Sequence, residues 1–374
     1  MLKHKIMKLD ELTLFILLCL VGCGTISIYG ATHNTKLEGL HISNIYLFIA
    51  FCIPMLALAW FDYRILLGKW LYLFYGLGIG LLILVRFTGE NINGAVRWLN
   101  IGHFQLQPSE IVKIFTILLV AQMLGRRRGE TLRPIRDLLP ICLVFMVPIM
   151  LIMQQPDLGT ALVFVGVLLS MLWMGNVRLV YMIVFLGFVI TMIGAVLWLY
   201  YANHDLLAKF VEPHQMARIQ TFLDPASDPD KSWHVKNAMR AIGSGGLTGG
   251  DGYYLQMGYI PYAYSDSIYV VIGENYGFIG SAVLLILYFA LIYRMVQMVM
   301  DSKDLAGAYI VVGIIGMLVF QIFVNIGMLI GLVPLTGISL PFISYGGSSL
   351  LSNMIAIGLV LSVHAHGVEG PISS

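Results

Sequence analysis

The sequence predicts an all-α fold: a polytopic integral membrane protein of ten transmembrane helices, with one large outer loop between spans seven and eight. Three observations carry that prediction. Of 374 residues, 59% are hydrophobic and only 11% charged, where a soluble domain carries about a quarter charged. The mean hydropathy is +0.85. The apolar residues come in continuous runs, not in the strict alternation of a β-barrel. This composition excludes a cytosolic enzyme, a nucleic-acid-binding protein and a disordered chain. Residues 1–374 read as a single membrane domain.

A helix needs about 20 apolar residues to cross a bilayer core. Ten segments meet or approach that length: roughly 12–31, 45–61, 70–86, 109–125, 138–154, 159–175, 180–201, 267–293, 306–330 and 347–363. In the first, Leu20-Val21-Gly22-Cys23 resembles a lipoprotein cleavage site, but the apolar run continues to Ala31, so a plain membrane helix is expected. Cys19, Cys23, Cys52 and Cys142 fall in apolar runs without metal spacing and read as buried thiols. With a cytoplasmic N-terminus, the inner segments hold Lys3, Lys5, Lys8, Arg64, Lys69, Arg126, Arg127, Arg128, Arg133, Arg136, Arg178, Arg294 and Lys303. The short outer loops hold only Lys36, Arg86 and Arg97. The positive-inside rule then places both termini in the cytoplasm.

In that orientation the polar residues gather at the outer ends of the spans. The loop at about 87–108 carries Gly94-Ala95-Val96-Arg97-Trp98 and runs into Gln107-Pro108-Ser109-Glu110, a helix-start signal. Lys113 follows one turn deeper on the face of Glu110, within reach of an ion pair. That pair reads equally as a structural tie or a functional group. Asp157 opens span six and Asp266 precedes span eight, where either could favour a helix dipole. Glu274 falls some 80° round the helix and about 12 Å deeper than Asp266, a poor position for sharing one reaction centre. It reads as an interior hydrogen-bonding or ion-pair residue.

The glycine run 243–252 could be a backbone nest for phosphate or a hinge. It is no Walker loop, and no His-Glu-x-x-His motif occurs. The stretch Thr336–Gly347, with Pro341, is a candidate for non-helical backbone at membrane depth. An outward polar cavity in a helical bundle is the sum of these readings.

The same segments resemble the RodA/FtsW/SpoVE proteins, the shape, elongation, division and sporulation family, over nearly the whole chain. The resemblance rests on Gly94-Ala95-x-Arg97-Trp98, Gln107-Pro108-Ser109-Glu110-x-x-Lys113 and Gln155-Pro156-Asp157-Leu158-Gly159-Thr160. It rests also on Ala241-Ile242-Gly243-Ser244-Gly245-Gly246, Ile272-Gly273-Glu274, and the run from Pro341 through Ser344 to Ser349. It implies a multi-pass protein of the bacterial cytoplasmic membrane that polymerises lipid II at the outer leaflet with a class B penicillin-binding protein. Other elongation or division proteins are implied as partners. Asp266 matches the family's essential aspartate; Glu110, Lys113 and Asp157 match its functional polar residues, with Arg97 in the same outer set, and Glu274 and Ser344 fall within its motifs. Thr336-Gly337-Ile338 leans towards the RodA-like branch. The chain departs from the pattern at Tyr262 and Tyr264, where a glutamate and a histidine are usual, and at His234-Val235-Lys236-Asn237-Ala238.

What the resemblance implies chemically is an inverting transfer, in which the acceptor GlcNAc 4-hydroxyl attacks the donor MurNAc anomeric carbon. Asp266 is then the general base. Arg97, and after it Arg218 or Lys236, would stabilise the leaving pyrophosphate. A divalent cation, magnesium or manganese, could share that role, though no ligand cluster demands one. The competing readings are a lipid II flippase and a non-catalytic scaffold for a penicillin-binding protein.

Overall fold

The computed structural model describes residues 10–92, 95–102, 104–202, 206, 211, 213–224 and 229–367. Lys3, Lys5, Lys8, Gly94 and parts of the large loop lie outside them. The first helix, α1 (Glu11–Thr32), runs unbroken through Cys23, as a plain span should. It is followed by α2 (Leu40–Trp60) and α3 (Lys69–Thr88). Then come α4 (Pro108–Gly125), α5 (Leu139–Met153), α6 (Leu158–Met174) and α7 (Leu179–Ala202). The large loop that follows is itself structured, holding α8 (Pro213–Leu223), α9 (Pro229–Ser244) and α10 (Tyr253–Gln256). Beyond it lie α11 (Ile268–Asp301), α12 (Leu305–Leu329) and α13 (Gly347–His366).

Among the described residues, nine helices are long and apolar enough to cross a membrane. The remaining predicted span forms α6, which is apolar but only 17 residues long. The four cysteines are free, and partly rather than fully buried.

One connection departs from a simple loop. Between α3 and α4 the chain forms a small antiparallel sheet, β1 (Glu90–Ile92), β2 (Ala95–Ile101) and β3 (Phe104–Leu106), in the order β1-β2-β3. Within that loop, β2 carries the β-branched and aromatic residues Val96, Trp98 and Ile101, which favour a strand.

The core lies where α12 packs on α4, α6 and α11, and where α13 packs along α2. By contrast, α7 has no buried residue. Span eight is not the straight helix the hydropathy suggested. Within α11, Gly277 adopts φ 60° and ψ −152°, outside the helical region. The glycine run fills this break. Gly250 N–H donates to the Glu274 carbonyl (2.8 Å), while the N–H groups of Phe278 and Ile279 donate to the Gly246 and Leu247 carbonyls (2.9 and 3.1 Å). A Cβ on Gly245 would collide with the Gly273 carbonyl oxygen, and one on Gly249 with that of Asn275. Backbone therefore meets backbone here, and only glycine permits the approach. The run is neither a free hinge nor an open nest.

The end of the bundle away from this loop is tied by charge. Asp10 caps α1 and accepts from Arg294 at 2.6 Å. Tyr63 bonds Asp304, and Arg127 pairs with Asp137.

Candidate active site

Asp266 lies one residue before the α11 N-cap, Ser267. It lines a cavity of about 1550 Å³ walled by the sheet (Arg97, Trp98), by α8 and α9 (Arg218, Lys236), and by the segment before α13 (Gly337, Tyr345). Its backbone is fixed from two sides. The Asn325 amide on α12 donates to the Asp266 carbonyl (2.8 Å) and to the Ile338 carbonyl (2.6 Å). The Ser344 hydroxyl donates to the Ser265 carbonyl (2.7 Å), and Tyr345 N–H donates to the Tyr264 carbonyl (2.9 Å). The stretch 336–346 is non-helical and largely buried, as its proline and glycines foretold, and these bonds, with that from Leu340 N–H to Ser344 Oγ, pair several of its polar groups.

The carboxylate itself stays open to the cavity beside Gly337, whose φ of +73° lies in the left-handed region that favours glycine. Burial pushes the Asp266 carboxyl up to about 6; backbone hydrogen bonds and the positive charges of Arg97 and Arg218 pull the other way without cancelling it. Arg218 feels the reverse. Burial, and then the Arg97 charge, hold its guanidinium below the usual arginine value.

Asp157 is an N-cap, accepting from Thr160 N–H at 3.0 Å. The dipole reading therefore holds for it, and its other oxygen does something more, taking Arg97 at 3.2 Å and the Gln107 amide at 3.0 Å. Asp157 is thus the carboxylate that aims Arg97 into the cavity. Ser348 at the start of α13 accepts from Gln107 N–H (2.9 Å) and donates to the Gln105 carbonyl (2.5 Å), locking the sheet to the bundle.

The structure does not bring every expected residue to the cavity. Glu110 and Lys113 pair at 2.9 Å, with side chains 7% and 1% exposed, inside the bundle and away from the cavity lining. Ser352 of α13 donates to the Glu110 backbone carbonyl at 2.9 Å, so this bond, rather than the ion pair within α4, ties α4 to α13. Glu274 is buried and accepts from Tyr254 N–H at 2.6 Å, closing the loop onto α11. Ser344 is buried and acts on the backbone of Ser265 rather than on the cavity.

Two supports escaped the sequence reading, Asn325 and the Gln107 side chain. Asn325 left a usable signal: with Gln321 it puts two amides one helical turn apart in an otherwise apolar span, and intramembrane polar groups mark function by default.

Known proteins share this architecture. A family model described as "Cell cycle protein", covering FtsW, RodA and SpoVE, matches residues 10–369. The chain is 35% identical over 293 residues to the stage V sporulation protein E of Bacillus subtilis, covering 76% of this chain and 75% of that protein. It is 30% identical to the peptidoglycan glycosyltransferase RodA of Treponema pallidum, covering 95% of this chain and 97% of that one. Among solved structures, a chain described under "Structural coordination of polymerization and crosslinking by a peptidoglycan synthase complex" superposes with a TM-score of 0.78 at 28% identity. That match covers 95% of this chain and 97% of the other. The rod shape determining protein RodA of Thermus thermophilus gives a TM-score of 0.70 at 27% identity, covering 95% of this chain and 96% of that one.

Proposed function

The chain belongs to the FtsW/RodA/SpoVE family of cell cycle proteins, and we propose that it polymerises lipid II at the outer leaflet with Asp266 as general base. It is a multi-pass membrane protein and, like the relatives bearing that name, a peptidoglycan glycosyltransferase. The observation that carries the proposal is the cavity itself: one open carboxylate, displaced upward by burial, faces three basic side chains.

An acceptor hydroxyl is a poor nucleophile near neutral pH, and a carboxylate close to 6 is basic enough to take its proton yet ionised at pH 7. Inversion at the donor carbon expels a pyrophosphate. Arg97, held by Asp157, and with it Arg218 and Lys236, line the cavity where that charge would develop. The cavity also reaches Tyr46, Leu47 and Ala50 of α2, giving an apolar wall for a prenyl tail.

A magnesium or manganese ion would have one cavity carboxylate, Asp266, to hold it, with the substrate's pyrophosphate supplying further oxygens. Among the described residues no three His, Cys, Asp or Glu side chains gather as a metal site. Asp157, the other carboxylate acting on Arg218, is already engaged by Arg97 and Gln107. No step here runs through a metal. A penicillin-binding-protein partner is supported by the similarity to a chain of a solved peptidoglycan synthase complex that couples polymerization to crosslinking. Cytoplasmic placement of both termini is supported by the basic residues at the end opposite Asp266.

The test is glycan polymerisation from fluorescent lipid II by purified protein, with and without a class B penicillin-binding protein. Wild type is expected to form polymer and Asp266→Ala none. Equal polymer from both would remove Asp266 from the chemistry; none from wild type, even with partner, would favour the flippase or scaffold.

A further inference from the structure

At the end of the bundle opposite Asp266, the connection between α4 and α5 meets the one between α6 and α7. They enclose a second pocket of about 540 Å³, lined by Glu130, Leu132, Arg133, Pro134, Arg178 and Tyr181, with Thr131. Its volume lies within the ~300–1,000 Å³ usual for small-molecule sites. The walls are pinned together, since the Asn176 side chain donates to the Gly129 carbonyl at 3.0 Å. The neighbouring carboxylate, Asp137, is consumed by Arg127 and by the Arg133 N–H (2.9 Å). That leaves Arg133 and Arg178, from loops far apart in sequence, as two exposed guanidinium groups at one concavity. Two such groups match the oxygens of a phosphodiester.

We propose that this pocket holds the phosphate of an anionic phospholipid headgroup between Arg133 and Arg178. A free phosphate offers the same chemistry, but the surroundings favour a lipid. Ile135, Leu179 and Val180 adjoin the lining residues in sequence and are 78%, 58% and 65% exposed, providing apolar surface for acyl chains beside a polar mouth. Basic pockets between helix ends bind lipid headgroups in this manner.

The probe is phosphatidylglycerol added to the purified full-length protein in neutral detergent, with adducts counted by native mass spectrometry against phosphatidylcholine and inorganic phosphate. Wild type is expected to retain phosphatidylglycerol at least about tenfold better than phosphatidylcholine, the size of effect expected for loss of ~1.4 kcal/mol. Arg133→Gln with Arg178→Gln should abolish that preference, while Arg128→Gln with Arg136→Gln, in the same connection but outside the lining, should keep it. Glu130→Gln removes the pocket's own negative charge and should raise retention severalfold, a gain that a folding defect cannot mimic. Equal loss in both arginine pairs, no preference in wild type, no gain on Glu130→Gln, or displacement by millimolar inorganic phosphate would each overturn the lipid assignment.

Discussion

Asp266 and Glu274 flank the first turns of α11, and the fold treats the two carboxylates in opposite ways. Around Asp266 the bonds from other elements all go to backbone: Asn325 takes its carbonyl, and Ser344 and Tyr345 take its neighbours', while the carboxylate accepts only from the N–H groups of Asp266 and Ser267 in its own turn. The side chain is left facing a cavity with Arg97 and Arg218 in electrostatic reach. Around Glu274 the side chain itself is the support, spent on Tyr254 N–H while its carbonyl takes Gly250 N–H. A carboxylate buried outside the cavity, with one oxygen closing backbone, cannot also take a proton from substrate. One that others hold in place can.

The sharpest way to break this contrast is to neutralise each in turn. Asp266→Asn should cost about 10²–10⁴ in polymerisation rate, the range for removing a general base. It should also raise the melting temperature at pH 7.5, because a buried charge is replaced by a neutral amide. Glu274→Ala should do the reverse in stability, leaving the Tyr254 N–H without its acceptor at a cost of about 1–3 kcal/mol. Thermal denaturation read beside polymerisation separates the two. If both variants lose stability and activity in parallel, the distinction between them is wrong.

Next in size is the backbone seam that Glu274 helps to close. Gly249→Val puts a branched side chain at φ +107° and against the Asn275 carbonyl. The strain exceeds the ~1 kcal/mol seen when a compatible glycine is replaced. We expect proteolysis within the 243–252 run at temperatures where the wild type resists it, with the bundle still intact. A protease-resistant variant would mean that the seam is looser than its backbone bonds imply.

A smaller effect tests the Asp266 half alone. Its carboxyl is raised to about 6, so the basic form is lost as pH falls through that value. The rate should drop towards about tenfold per pH unit below 6 and be flat above it until another group titrates. The stability sign is opposite: above 6 the folded protein bears the cost of a buried charge, and protonation relieves it. An acidic limb near 4 would mean that the carboxylate is solvated in the working enzyme.

Most of the bundle was legible because hydropathy reports burial in lipid directly, and the run from Leu305 to Leu329 admits no other reading. Glu110 and Lys113 were legible as a pair because helix geometry fixes the spacing. What hydropathy could not report is where backbone meets backbone. The break at Gly277 lies inside an apolar run, and its cause is a glycine segment roughly thirty residues upstream, on the other side of a loop. The same limit hid the division of labour at the cavity. Sequence order put Glu110, Asp157 and Asp266 on one side of the membrane, but only the fold separates the carboxylate that aims Arg97 from the one that faces substrate.

Asn325 offers the finest test, since it touches no part of the cavity and acts only through backbone. It is fully buried and its amide joins the Asp266 and Ile338 carbonyls, bridging the two segments that wall the site. Asn325→Leu keeps much of the volume and removes both donations. Misplacement by ~1 Å costs a reacting group up to about 10²-fold. The ties through Ser344 and Tyr345 remain, so a loss of about tenfold in kcat is expected with KM nearly unchanged. Loss of stability alone would lower the amount of folded enzyme but leave the pH limb of the survivors in place. A positioning role predicts that the limb moves as well, because the Asp266 carboxyl would sit at a different depth. If kcat per folded molecule and the limb both stay fixed in Asn325→Leu, then the bridge holds the helices together and the carboxylate is positioned from the Ser344 side alone.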